Sequence, residues 1–136
     1  MSSSIPLRPL AWRLTTCPAL IDFEEGTADG RPRLIGLSED ESVLVDLIAT
    51  SDGSLARVTI LGAPGSPWRD VVACVAQHVC EDPERAVAWL EGAAKAVLQG
   101  KQTRVTRRIG GVRWWVSRAE MGGERHVMVK AEAGRE

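Results

Sequence analysis

"TRVTRRIGGVRWWVSRAEMGGERHVMVKA", residues 103–131, decides how this chain folds. Two Gly-Gly pairs divide it into three short runs rich in Val, Ile and Trp, and glycine tolerates the positive φ that tight hairpin turns demand. With Gly110-Gly111 as a turn, Ile109 faces Val112, Val105 faces Val116 and Arg107 faces Trp114. With Gly122-Gly123 as the next turn, Val116 also faces Val129, Arg118 faces Val127 and Trp114 faces Ala131. The two turns are chosen independently, yet the valines fall on the same side. A slip of one residue would send every side chain to the opposite face, so the agreement fixes the register. The valine side is the core face. The opposite face holds Arg104, Thr106, Arg108, Arg113, Trp115, Ser117, Met128 and Lys130.

The same grammar occurs upstream in "SVLVDLIATSDGSLARVTILG", residues 42–62. Asp52-Gly53 is a two-residue hairpin signal of type I′. Taking it as the turn pairs Ala49 with Ala56, Leu47 with Val58 and Val45 with Ile60, all apolar and all on one side. The other side pairs Ile48 with Arg57 and Asp46 with Thr59, a mixed face. "RPRLIGL" (31–37) and "ALIDF" (19–23) read as further strands.

Between the two meanders the period changes from two to 3.6. Ser66 is expected to cap a helix whose first position is Pro67, with Trp68, Val71, Val72, Val75 and Val79 at helical spacing. A second helix is capped by Asp82, starts at Pro83 and stops at Gly100. Its apolar stripe is Ala86, Val87, Leu90, Ala94, Val97 and Leu98, with Trp89 on the border. Gly92 lowers helix propensity and is expected to mark a close contact. Residues 1–11, Ser- and Pro-rich, are expected to be extended or loosely ordered.

The order is therefore strands, two helices, strands. The expectation is an α+β fold, an antiparallel sheet of about six strands with both helices packed on one face. At 136 residues the chain is expected to form one domain, large enough to bury a core without staples. Five Trp, one Phe and no Tyr mean that Trp and the aliphatics must fill that core. Residues 1–100 hold 8 basic and 14 acidic side chains, a net of −6. Residues 101–136 hold 9 and 4, a net of +5, an asymmetry that can mark an anion-binding end or two ends that attract.

Three cysteines, Cys17, Cys74 and Cys80, make no disulfide framework. They point to a reducing, cytoplasmic setting, with one bridge plus one spare thiol as the alternative. The N-terminal apolar run is broken by Arg8 and Arg13, which argues against a signal peptide. No run reaches the roughly 18 apolar residues of a membrane helix, so no membrane is expected.

Site grammar is sparse. "ILGAPGSPW" (60–68) has the strand–loop–helix context of an anion site but neither the Walker nor the dinucleotide pattern, and Pro67 removes an amide. Cys74, His78 and Cys80 match no zinc-ligand spacing. No nucleophile elbow occurs, and the carboxylates of "DFEEG" and "SEDES" fall where turns are expected. No cofactor or metal is implied, and the balance leans away from an enzyme. The first expectation is a non-catalytic domain that binds a protein, a second copy included, in a chaperone, adaptor or inhibitor-like role. Leu44, Ile48 and Leu61 on the mixed face are the apolar partner patch. The alternative is single-stranded nucleic acid held by Arg104, Arg108, Arg113, Trp115 and Lys130, where cations meet an aromatic. A small enzyme without a recognisable motif is the third.

Overall fold

The computed structural model describes residues 5–15, 20–50 and 52–133. The elements run α1 (Leu7–Leu14), β1 (Leu20–Ala28), β2 (Arg31–Ser38), β3 (Val43–Ala49), β4 (Leu55–Gly62), α2 (Trp68–Val79), α3 (Pro83–Leu98), β5 (Arg104–Ile109), β6 (Val112–Met121) and β7 (Glu124–Ala133). The seven strands form one antiparallel sheet in the order β1-β2-β3-β4-β7-β6-β5. The fold is α+β, with seven strands where about six were expected.

The C-terminal meander has the expected register throughout, from Ile109 opposite Val112 to Arg118 opposite Val127. Both turns are built from two successive left-handed glycines, Gly110 (φ 59) with Gly111 (φ 78) and Gly122 (φ 59) with Gly123 (φ 82). That conformation matches the right-handed twist of the flanking strands, and a Cβ would resist it.

The helices all lie on one side. α1 packs on β3 and α2, α2 on β4 and α3, and α3 on β5, β6 and β7. The core beneath them joins Val45, Leu47, Val58, Ile60, Trp114, Val116, Val129 and Ala131 from the sheet with Leu10, Leu14, Val72, Val75, Leu90 and Val97 from the helices. Each such aliphatic side chain taken from water contributes roughly 1.5–3 kcal/mol.

Several local expectations are corrected. Of residues 1–11, expected to be extended or loosely ordered, 1–4 lie outside the described residues and 7–11 belong to a helix. Leu7, Leu10, Ala11 and Leu14 recur at helical spacing and are buried, while the arginines that break the apolar run take the outer side. Pro9 fits because the first turn of a helix has no intrahelical partner for its N–H groups. The segment is tied down by Leu7 N–H donating to Gly53 O (3.1 Å) and Leu55 N–H donating to Ile5 O (2.6 Å).

Between Ile48 and Ala49 the β3–β4 register shifts by one, so Ala49 faces Leu55 rather than Ala56. Nearer the turn, Gly53 N–H donates to Thr50 O (3.1 Å) and Gly53 takes the left-handed φ of 88. The shift in pairing leaves the larger Leu55 buried opposite Ala49 and Ala56 half-buried. Ser66 does not cap α2. Its N–H closes a turn onto Ala63 O (3.1 Å), Pro67 is the N-cap residue, and the Ser66 hydroxyl is buried without a partner. The helix entry is set instead by Trp68, which packs so closely over Gly62 that a Cβ there would lie 2.4 Å from the Trp68 Cβ.

α3 begins and ends as expected. Asp82 accepts from Arg85 N–H, and past Leu98 the Gly100 and Lys101 amides donate back to Val97 O and Ala96 O. Gly92 marks no close contact, since nothing lies within 4 Å of where its Cβ would be. The acidic run of "DFEEG" is not a turn but part of β1, which continues to Ala28 because the chain reverses at Asp29-Gly30. "SEDES" is a turn, closed by Asp40 accepting from the Ser42 amide and from the hydroxyls of Ser38 and Ser42.

Candidate functional site

Because α1, α2 and α3 share one side, the other side of the sheet carries no described helix. Its side chains come from alternate positions of each strand, and the ladder places them in three rows across the strands. From β2 to β5 the first row reads Arg33, Ile48, Arg57, Glu132, Arg113, Arg108. The second reads Ile35, Asp46, Thr59, Lys130, Trp115, Thr106. The third reads Leu37, Leu44, Leu61, Met128, Ser117, Arg104. The third row is apolar across four consecutive strands. The outer face of an antiparallel sheet is ordinarily the polar one, so this row is a departure with a cause to be sought.

The expected patch residues all sit on this face. Leu44 and Leu61 are neighbours in the apolar row and half-buried. Ile48 stands apart in the first row between Arg33 and Arg57, and only 9% of it is exposed, so it is the least available of the three.

Charge on the face is divided. On the β2–β3 side, Arg33 donates to both carboxylate oxygens of Asp46, Nε at 2.9 Å and a terminal nitrogen at 2.8 Å. This hydrogen-bonded charge pair raises the pKa of Arg33 above its ordinary value. On the β4-β7-β6-β5 side lie Arg57, Arg104, Arg108, Arg113 and Lys130 with Glu132 among them. Glu132 stands between Arg57 and Arg113 in the register, yet it forms no ion pair with either. Arg108 and Arg113 are direct cross-strand neighbours, a like-charge arrangement that is unfavourable in isolation.

At the centre of the basic half, Arg57, Arg104, Trp115, Ser117, Lys130 and Glu132 wall an open concavity of about 260 Å³. Arg57 Nε is shielded from solvent and has no hydrogen-bond partner among the described residues. The Arg113 guanidinium lies 5.8 Å from the centre of the Trp115 ring, a cation–π contact that takes up part of the indole surface. Of the five residues expected to bind an anion, Arg104, Trp115 and Lys130 line the concavity. Arg108 and Arg113 share the face but not the lining. Glu132 opposite Arg113 follows from the Gly122-Gly123 turn, whereas Arg57 was not foreseen here, because it joins the group only through the β4–β7 pairing, which no local pattern announces.

The other places of chemical interest are occupied by structure. Among the described residues no three His, Cys, Asp or Glu side chains gather as a metal site requires. Cys80 is a free, buried thiol that donates to Ile109 O at 3.3 Å. Cys74 is disulfide-bonded, in keeping with the alternative of one bridge and a spare thiol, and Cys17 lies outside the described residues. The hydroxyl–carboxylate contacts at Asp40 close a turn and have no histidine beside them. Among the described residues no helix is long and apolar enough to cross a membrane. No family model matches the chain, nor does any curated protein or solved structure.

Proposed function

We propose that this chain is a non-catalytic protein-docking domain whose working surface is the helix-free face of the sheet. The observation that carries the reading is the row Leu37, Leu44, Leu61 and Met128, apolar and half-buried on a sheet face over which no described helix packs. Continuous apolar surface rimmed by charge is what a partner desolvates on binding. A rigid sheet presents such a surface without loss of backbone freedom, which favours association. The division of labour supports this: one side of the sheet is committed to the helices and the core, and the other is left to a second molecule.

The test uses the full chain and the paired change Leu44→Asp, Leu61→Asp. Interacting proteins are captured from the native cells, identified, purified and added back, and the mass of the chain alone is followed by light scattering. The reading expects a reconstituted partner, or a dimer, that the paired variant loses and that a Gln77→Ala change on α2 keeps. A partner indifferent to the paired change, or a chain that stays monomeric and binds nothing, overturns it. Leu44→Ser with Leu61→Ser serves where the aspartates disturb the fold.

A further inference from the structure

We propose, building on that reading, that the partner presents an acidic segment rich in aliphatic side chains, and that its carboxylates seat in the concavity walled by Arg57, Arg104 and Lys130. The contrast within one face carries the argument. The β2–β3 half holds a cation and an anion that satisfy each other in a bidentate pair. The other half assembles Arg57, Arg104, Arg113 and Lys130, four cations about the carboxylate of Glu132, and none of the four has an ion pair within 4.0 Å among the described residues. Like charges held together on one surface repel, and the repulsion is relieved when an anion binds. Arg57 adds to this the positive charge of a guanidinium on the wall of the concavity itself.

The apolar row settles the class of partner. It abuts the concavity directly: Met128 is opposite Ser117, and Ser117 is opposite Arg104. A segment laid across the strands meets Leu37, Leu44, Leu61 and Met128 in turn and then the cations. A nucleic acid strand would use the cations but has nothing to place on four aliphatic side chains. It would also find a single indole, half-buried and already approached by Arg113. Non-specific single-strand binders ordinarily offer several stacking platforms along the backbone. An acidic polypeptide with aliphatic side chains uses both halves.

The probe is a displayed library of random peptides, each roughly twelve residues long, enough to span several strands of the sheet at ~4.8 Å spacing. It is selected against the full chain, with a single-stranded oligonucleotide of similar length titrated in parallel. Enriched peptides are expected to be rich in Asp, Glu and aliphatic residues. Their affinity should fall by about tenfold or more with Arg104→Glu plus Lys130→Glu, as for loss of close charge pairs. The milder Arg104→Ser plus Lys130→Gln pair gives a smaller fall in the same direction, with the melting profile of each variant showing that the fold is kept. Enriched peptides that are neutral or basic, or tighter binding of the oligonucleotide, overturn the proposal. Neutral peptides that still fail on Leu44→Asp, Leu61→Asp overturn the acidic chemistry and leave the docking face standing. An absence of enrichment, or peptides indifferent to all of these changes, overturns the proposal, while the docking face stands or falls by the reconstituted partner or dimer.

Discussion

Trp114 and Trp115 are consecutive in β6 and lie on opposite sides of the sheet. Trp114 is completely buried beneath the helices, and Trp115 is half-buried on the helix-free face beside Arg113. The pleat of one strand therefore separates the stability of the molecule from its candidate surface. Trp114→Ala should cost about 3–5 kcal/mol, the range for emptying a large buried site. Trp115→Ala should cost about 1 kcal/mol or less, as surface changes do. Urea unfolding of the two variants checks this, and equal losses would contradict the burial of Trp114.

The β5–β6 turn is docked as well as tight. A Cβ on Gly110 would lie 2.6 Å from Cys80 Sγ and 2.7 Å from Asp82 N, and Gly110 O accepts from Glu81 N–H at 3.1 Å. Gly122 has the same φ of 59 at the β6–β7 turn, with nothing within 4 Å. Gly122→Ala should cost only the left-handed backbone penalty, about 1–2 kcal/mol. Gly110→Ala should cost about 1–3 kcal/mol more, because the junction of α2 and α3 must also move. The difference in melting free energy between the two variants measures the docking.

Gly92 offers the reverse. It sits in the interior of α3, exposed, with open space around it and no left-handed backbone. Gly92→Ala should stabilise the protein by about 1 kcal/mol through helix propensity alone. Thermal unfolding should show a higher midpoint, and a lower one would mean that the helix packs against something there.

Asp40 is held by the Ser42 hydroxyl first, then the Ser42 amide and the Ser38 hydroxyl, which lower its pKa from 3.8 to about 2. A carboxyl whose folded pKa is depressed stabilises the fold fully above its unfolded value. That contribution is lost as pH falls from about 4 toward about 2. Carboxyl NMR should find Asp40 titrating below the ordinary aspartate value, at about 2. Asp40→Asn should remove its share of the pH dependence of stability in that window.

The parts of the fold that the sequence announces are those where a short-range constraint and a periodicity agree. Gly110-Gly111 and Gly122-Gly123 fix turns, and the alternation of Val105, Val116 and Val129 confirms the register they impose. Where a second solution competes, local reading fails. Ser66 satisfies the grammar of a cap, but the packing of Trp68 on Gly62 sets the helix start. Leu7 to Leu14 is a helical stripe obscured by its prolines and arginines, and it is ordered by contacts with the distant Gly53 and Leu55. The membership of the helix-free face follows from alternation within each strand. Its arrangement does not, because the concavity exists only once β4 lies beside β7, joining Arg57 to Lys130 and Glu132. No residue near Arg57 in the chain signals that neighbour.

The pairing of β4 with β7 also governs the order in which this molecule can be assembled. Every other described strand is synthesised before β7, yet β7 lies in the interior of the sheet, between β4 and β6. Until Val127 and Val129 arrive, Val58 and Ile60 belong to a strand with a bare edge, which can template association with other chains. Closure between such distant segments is slow relative to local pairing. A growing polypeptide of this kind spends its vulnerable interval waiting for β7, and its yield on expression should depend on how that interval is shielded.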